Sequence, residues 1–142
     1  MASTYSTNLR LELIATGEQS GTWGQTTNVN LGTLIEQAIG GYESIAMTDA
    51  NLTLSALNGV SDQSRNMALR LTGTLSAQRN VVCPDFIEKL YVVENATSGG
   101  FSIVFKTASG TGVTVPNGCK SILAVDGTNV TSVLVISSAG AA

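Results

Sequence analysis

The chain has 142 residues, enough for one domain with an ordinary buried core. Seven Lys and Arg stand against ten Asp and Glu, with no His, for a net charge of -3. The cations (Arg10, Arg65, Arg70, Arg79, Lys89, Lys106 and Lys120) are scattered, so no basic face for nucleic acid is expected. Charged residues make up only 12 %, about half the usual share, so the solvent-facing positions fall to Ser, Thr, Asn and Gly. Such a surface suits β-strands, and it suits a protein packed against its own copies or a neighbour.

Taken in chain order, Met1-Ala-Ser-Thr-Tyr5 has neither a basic nor an apolar stretch of the kind a signal peptide carries, and no run is long enough to cross a bilayer. In "LRLELIA", Leu9, Leu11 and Leu13 alternate with Arg10 and Glu12, which predicts an extended arm with one leucine face. Residues 17–24 read as a loop holding the only tryptophan, Trp23, between Gly21 and Gly24. Two roles are open to its indole. It folds back on its own core, or it anchors in a pocket on another chain, where buried Trp is the side chain most enriched among binding hot spots.

From Thr26 the period changes. In "TTNVNLGTLIEQAI", a Thr or Asn offers an N-cap, and Leu31, Leu34, Ile35, Ala38 and Ile39 recur at helical spacing. Gly40-Gly41 supplies a left-handed stop, so a helix is predicted over about 27–39. Gly32 within it calls for a close packing neighbour or marks the helix edge.

After Gly41 the period is two. Short apolar or alternating runs are separated by Asp49-Ala-Asn51, Asn58-Gly59, Gly73, Ser98-Gly99-Gly100, Ser109-Gly110, Pro116-Asn117-Gly118 and Asp126-Gly127. Strands at this spacing with Asn-Gly and Asp-Gly turns predict an antiparallel β-sandwich or barrel. "KLYVVENATSGGFSIVFKTA" reads as its clearest hairpin, with Ile103 and Phe105 returning beside Leu90–Asn95. The expected organisation is an arm and loop (1–25), a short helix (26–41), a β-rich domain (42–136) and a fraying tail (137–142).

No catalytic constellation is visible. Without His there is no Ser/His or Cys/His pair, and there is no CxxC, HExxH, acidic calcium loop or phosphate-binding loop. No cofactor or metal is expected. Cys83 and Cys119 sit among apolar residues and read as small buried hydrophobes rather than a disulfide. Asn51, Asn95 and Asn129 begin N-x-Thr triplets, which arise by chance in a chain this rich in Asn and Thr.

The segment "TYSTNLRLELIATGEQSGTWGQTTNVNLGTLIEQAIGGY", followed by "KLYVVENATSGGFSIVFKTASGTGVTVPNGCKSILAVDGTNV", resembles a module of tailed-bacteriophage virion proteins over about residues 3–136. In longer relatives that module precedes fibre sequence. With none following here, the resemblance implies a capsid decoration (cement) protein, or alternatively a head-fibre or tail-fibre base. It also implies a homo-oligomer, a trimer in such families, bound to the major capsid protein or another virion protein. On this reading the chain is not an enzyme, binds neither nucleic acid nor membrane, and resides in the virion. Leu9, Leu11, Leu13, Trp23, Leu31, Leu34 and Ile35 are then the expected interface residues. A carbohydrate-binding β-module is a more distant alternative, weakened because the seven aromatic residues do not cluster.

Overall fold

The computed structural model describes residues 3–136. The expected fraying of 137–142 lies outside the described residues. The chain is mainly strand with one short helical segment, as its period-two patterning predicts.

A small hairpin opens the chain, with β1 (Thr4–Tyr5) antiparallel to β2 (Glu12–Leu13). The extended leucine arm expected over 9–13 does not form. Arg10 adopts φ 52°, which breaks the run and folds the leader back as a docked turn. The helical segment runs from α1 (Trp23–Val29) through a π-helical stretch (Asn30–Ile35) into α2 (Glu36–Gly40). It therefore begins four residues before the expected start, with Trp23 as its first helical residue.

The helix stop also differs from the left-handed cap expected. Gly41 is extended, at φ -70° and ψ 135°. Glycine is required there by space, since an added Cβ would lie 2.4 Å from both Asn66 Oδ1 and the Gln37 carbonyl oxygen. Gly32, by contrast, has nothing within 4 Å of the corresponding position. It lies inside the helical run, so neither expected explanation applies.

The remaining strands form two sheets. The first has the order β11 (Val130–Ile136), β10 (Lys120–Asp126), β7 (Glu88–Asn95), β5 (Ala68–Thr72) and β3 (Tyr42–Ala46). The second has β4 (Leu52–Thr53), β6 (Arg79–Cys83), β8 (Ile103–Thr107) and β9 (Gly112–Val115).

The sheets are mixed and not closed into a barrel, which corrects the antiparallel expectation. From β3 to β8 the chain changes sheet at every step. Same-sheet neighbours are therefore two strands apart in sequence, and β3–β5, β5–β7, β4–β6 and β6–β8 all pair in parallel. The strand of the opposite sheet serves as the crossover that a parallel pair needs. Within the two sheets β8–β9 and β10–β11 are antiparallel hairpins, turning at Ser109-Gly110 and Asp126-Gly127, and β7 also pairs antiparallel with β10. β7 and β8 lie in different sheets, so the hairpin expected over 89–108 is a corner.

The corners stack. Gly73 (φ 102°) lies so close to Met47 that a Cβ would fall 2.4 Å from its carbonyl oxygen, and Gly99 (φ 107°) repeats this with Leu75 at 2.1 Å. One buried core joins the two sheets. Leu69, Leu71, Tyr91, Val93 and Leu123 from the first meet Val81, Cys83, Ile103, Phe105 and Val115 from the second. The Tyr91 and Phe105 rings tilt together at 5.1 Å across it. Cys83 and Cys119 are free and buried, as the sequence suggested, and burial pushes the Cys83 thiol up to about 12.

Candidate functional site

The helical segment is a satellite of the core. Leu34 is its one fully buried residue, and it stands outside the core cluster that joins the sheets. Three of its large apolar side chains instead face solvent. Trp23 is 61 % exposed, Leu31 59 % and Ile39 75 %.

Each of the three is followed by glycine, giving Trp23-Gly24, Leu31-Gly32 and Ile39-Gly40 at a spacing of eight residues. None of these glycines has an atom within 4 Å of where a Cβ would stand. An α turn takes 3.6 residues and a π turn more than four, so the eight residues from Leu31 to Ile39, which run from the π stretch into α2, span close to one turn of each, whereas those from Trp23 to Leu31 are almost all α. The π stretch over 30–35 thereby keeps Leu31 and Ile39 on nearly one side of the helical run, where an unbroken α-helix would rotate them apart. Gly32, the one of the three inside the run and away from its ends, costs about 0.5–1 kcal/mol relative to Ala, and no packing within the chain offsets that.

The hairpin is fixed beside this helix. The Asn30 side chain brackets the backbone of Glu12, accepting from its N–H at 3.1 Å and donating to its carbonyl at 2.9 Å. Below the hairpin lies a buried charge cluster. Asp62 Oδ2 accepts from Arg10 Nη2 at 2.8 Å and from the Leu57 N–H at 2.7 Å, while Oδ1 accepts from the Arg65 N–H at 2.7 Å. Arg65, wholly buried, spends its guanidinium on the carbonyls of Leu9, Leu57 and Val60 and lies 3.3 Å from Asp62.

Burial, opposed by the Asp62 charge, lowers the Arg65 pKa, but the guanidinium stays protonated. Lys89 sits nearby with its Nζ 4.7 Å above the Tyr91 ring. Burial first, then the Arg10 charge, lowers its pKa to about 8. Arg10 and Arg65 hold structure together: they fasten the leader to the 57–65 loop.

The residues expected at an interface therefore divide. Trp23, Leu31 and Leu13 are exposed, while Leu9, Leu11 and Ile35 are half-buried. Leu34 is sealed within its own chain and offers no surface to a partner. Trp23 takes the outward of its two possible positions. The sequence reading put Ile39 on one stripe with Leu31, Leu34 and Ile35 without naming it as an interface residue, and the structure splits that stripe, burying Leu34 and exposing Ile39. The eight-residue apolar-Gly spacing was the available signal. Sequence reasoning missed the Arg65–Asp62 cluster, for which "SDQSRN" gives no periodic cue.

Among the described residues no group of three His, Cys, Asp or Glu is placed to hold a metal ion, and no helix is long and apolar enough to cross a membrane. The arrangement suits contact with an apolar surface. No protein-family model matches this chain, and neither does any curated protein or any solved structure.

Proposed function

We propose that this chain is a non-enzymatic structural protein of a tailed-phage particle, a decoration protein that binds the outer shell as a homo-oligomer. The observation that carries the reading is the uncovered helix face, Trp23, Leu31 and Ile39, each beside a glycine with open space above it. The resemblance of residues 3–136 to virion modules supplies the particle, and a trimer is the assembly it implies.

Physical chemistry supports the reading from two directions. Fully burying one large apolar side chain contributes about 1.5–3 kcal/mol, so three such residues make a useful contact only when repeated. Repetition around an oligomer turns modest contacts into avidity through effective concentration. The glycines let a partner backbone approach closely between the anchors. A surface with few charges adds little long-range repulsion between neighbouring copies.

Co-sedimentation with particles stripped of this protein tests the proposal. The wild-type chain should rebind, and Trp23→Ala should rebind weakly while remaining folded. If Trp23→Ala rebinds as well as wild type, the helix face is not the contact. Density at the tail rather than over the shell would move the role to a fibre base.

A further inference from the structure

We propose a small-ligand site that the decoration role does not use: the cleft between α2, the start of β3 and the 55–66 loop binds a neutral polyhydroxy ligand, a hexose-sized sugar unit. The cleft is open to solvent and offers about 410 Å³, and the residues that line it are all polar. Gln37, Tyr42, Glu43, Ser55, Ser61 and Gln63 carry the argument.

The walls are already fixed by bonds among themselves. Gln37 Nε2 donates to Ser61 Oγ at 2.7 Å, Asn66 Nδ2 to Glu43 Oε2 at 2.8 Å, and Gln63 and Ser55 exchange two bonds at 3.1 and 2.9 Å. These bonds leave a defined set of valences free. Gln37 Oε1 is buried and has no hydrogen-bond partner. Glu43 Oε1 accepts nothing from the described residues, Gln63 Nε2 donates to none, and the Ser55 and Ser61 hydroxyl protons remain available.

Tyr42 stands at the cleft, 64 % exposed as a residue, with its hydroxyl 3.5 Å from Glu94 Oε2. The site thus combines an exposed aromatic residue with interleaved donors and acceptors.

Charge selects among ligand classes. An anion would meet Glu43 with no free cation in the wall, because Arg10 and Arg65 are engaged by Asp62 behind it. A metal ion would lack ligands, since no three candidate groups converge among the described residues. Hydroxyl groups, which both donate and accept, fit the free valences, and a sugar's apolar face fits a tyrosine ring.

The test is saturation-transfer NMR on the whole protein with the methyl glycosides of glucose, galactose, mannose and N-acetylglucosamine. At least one should receive saturable transfer with millimolar affinity. Tyr42→Ala and Gln37→Ala should each weaken it about fivefold or more. Glu43→Gln serves as a second, isosteric variant should Gln37→Ala lose its fold.

Absence of transfer to any glycoside would overturn the proposal, as would transfer unchanged in the variants. Cleft resonances that shift with protein concentration and not with glycoside would give the cleft to a second copy. Shifts with calcium chloride alone would make it a cation site. Each of these also overturns it. The experiment uses no particles, so its failure would leave the assembly proposal standing.

Discussion

The guanidinium of Arg65 donates twice to the carbonyl oxygen of Leu9, at 3.0 and 2.8 Å, across 56 residues of sequence. That contact turns the leader from an arm into part of the domain. The same guanidinium satisfies the Leu57 carbonyl, and Arg10 reaches Asp62 from the hairpin side. Two arginines and one aspartate therefore hold the hairpin, and with it the helix that displays Trp23.

Arg65→Met should remove this clamp. It leaves several buried carbonyls without donors and Asp62 with one cation, a loss of about 3 kcal/mol in urea unfolding. Asp62→Asn should be at least as damaging relative to its size, because two arginines then face each other unneutralised. Loss of hairpin protection in hydrogen exchange, ahead of the sheets, would identify the clamp as the element that fails.

Asn95 should behave as a structural bracket and not as a glycan acceptor. It is fully buried, its Nδ2 donates to the Phe101 and Val115 carbonyls at 3.1 and 3.0 Å, and its Oδ1 accepts from the Thr97 hydroxyl at 2.6 Å. The third residue of its N-x-Thr triplet is thus the partner in a local turn that ties β7 to β9. Asn95→Ala should cost about 2–3 kcal/mol in chemical denaturation.

Lys89 gives the stability a pH dependence whose sign can be worked out. Its pKa falls from 10.5 to about 8 in the folded chain. Below that value both folded and unfolded chains carry the charge, and the burial penalty is full. As pH rises from about 8 toward 10.5 the folded chain loses the proton first, so stability climbs. Cys83 opposes this above 9, its ordinary value, because its folded pKa of about 12 means the unfolded chain ionises first. The rise is therefore clean only between about 8 and 9. Lys89→Met should be more stable than wild type by about 1 kcal/mol at pH 7 and should lose that lead as pH approaches 10, read from urea midpoints.

The glycines divide into two kinds. Gly41→Ala forces a Cβ to within 2.4 Å of Asn66 Oδ1 and the Gln37 carbonyl, and should destabilise by about 1–3 kcal/mol. Gly32→Ala meets nothing within the chain and should stabilise the isolated protein by about 0.5–1 kcal/mol. If Gly32 serves close approach by a partner, the same substitution should weaken assembly. Thermal melts and light scattering, read side by side, separate the two effects.

Much of the fold was legible in the sequence. The period-two runs place most strands, and the alternation in "KLYVVEN" separates Tyr91, Val93 and Asn95 from Leu90, Val92 and Glu94, of which the structure buries the first set. Strand partnership was not legible. Gly73 and Gly99 mark corners between sheets, yet a corner glycine and a hairpin glycine answer the same demand for positive φ, so turn chemistry alone cannot say which strand comes next. The helix was legible as a helix, but a π stretch shifts every later side chain, so the single apolar stripe read from an α period divides into a buried Leu34 and exposed Leu31 and Ile39. Arg10 and Arg65 read as solvated charges because nothing local to either announces a partner more than fifty residues away.

The proposed role rests on the exposed helix face being covered in the particle. Cryo-electron microscopy of purified virions tests that most directly. The account predicts repeated density for this chain over the outer shell, with Trp23, Leu31 and Ile39 buried against the capsid or a neighbouring copy. Density confined to the tail, or a shell-bound copy whose Trp23 still faces solvent, would contradict it.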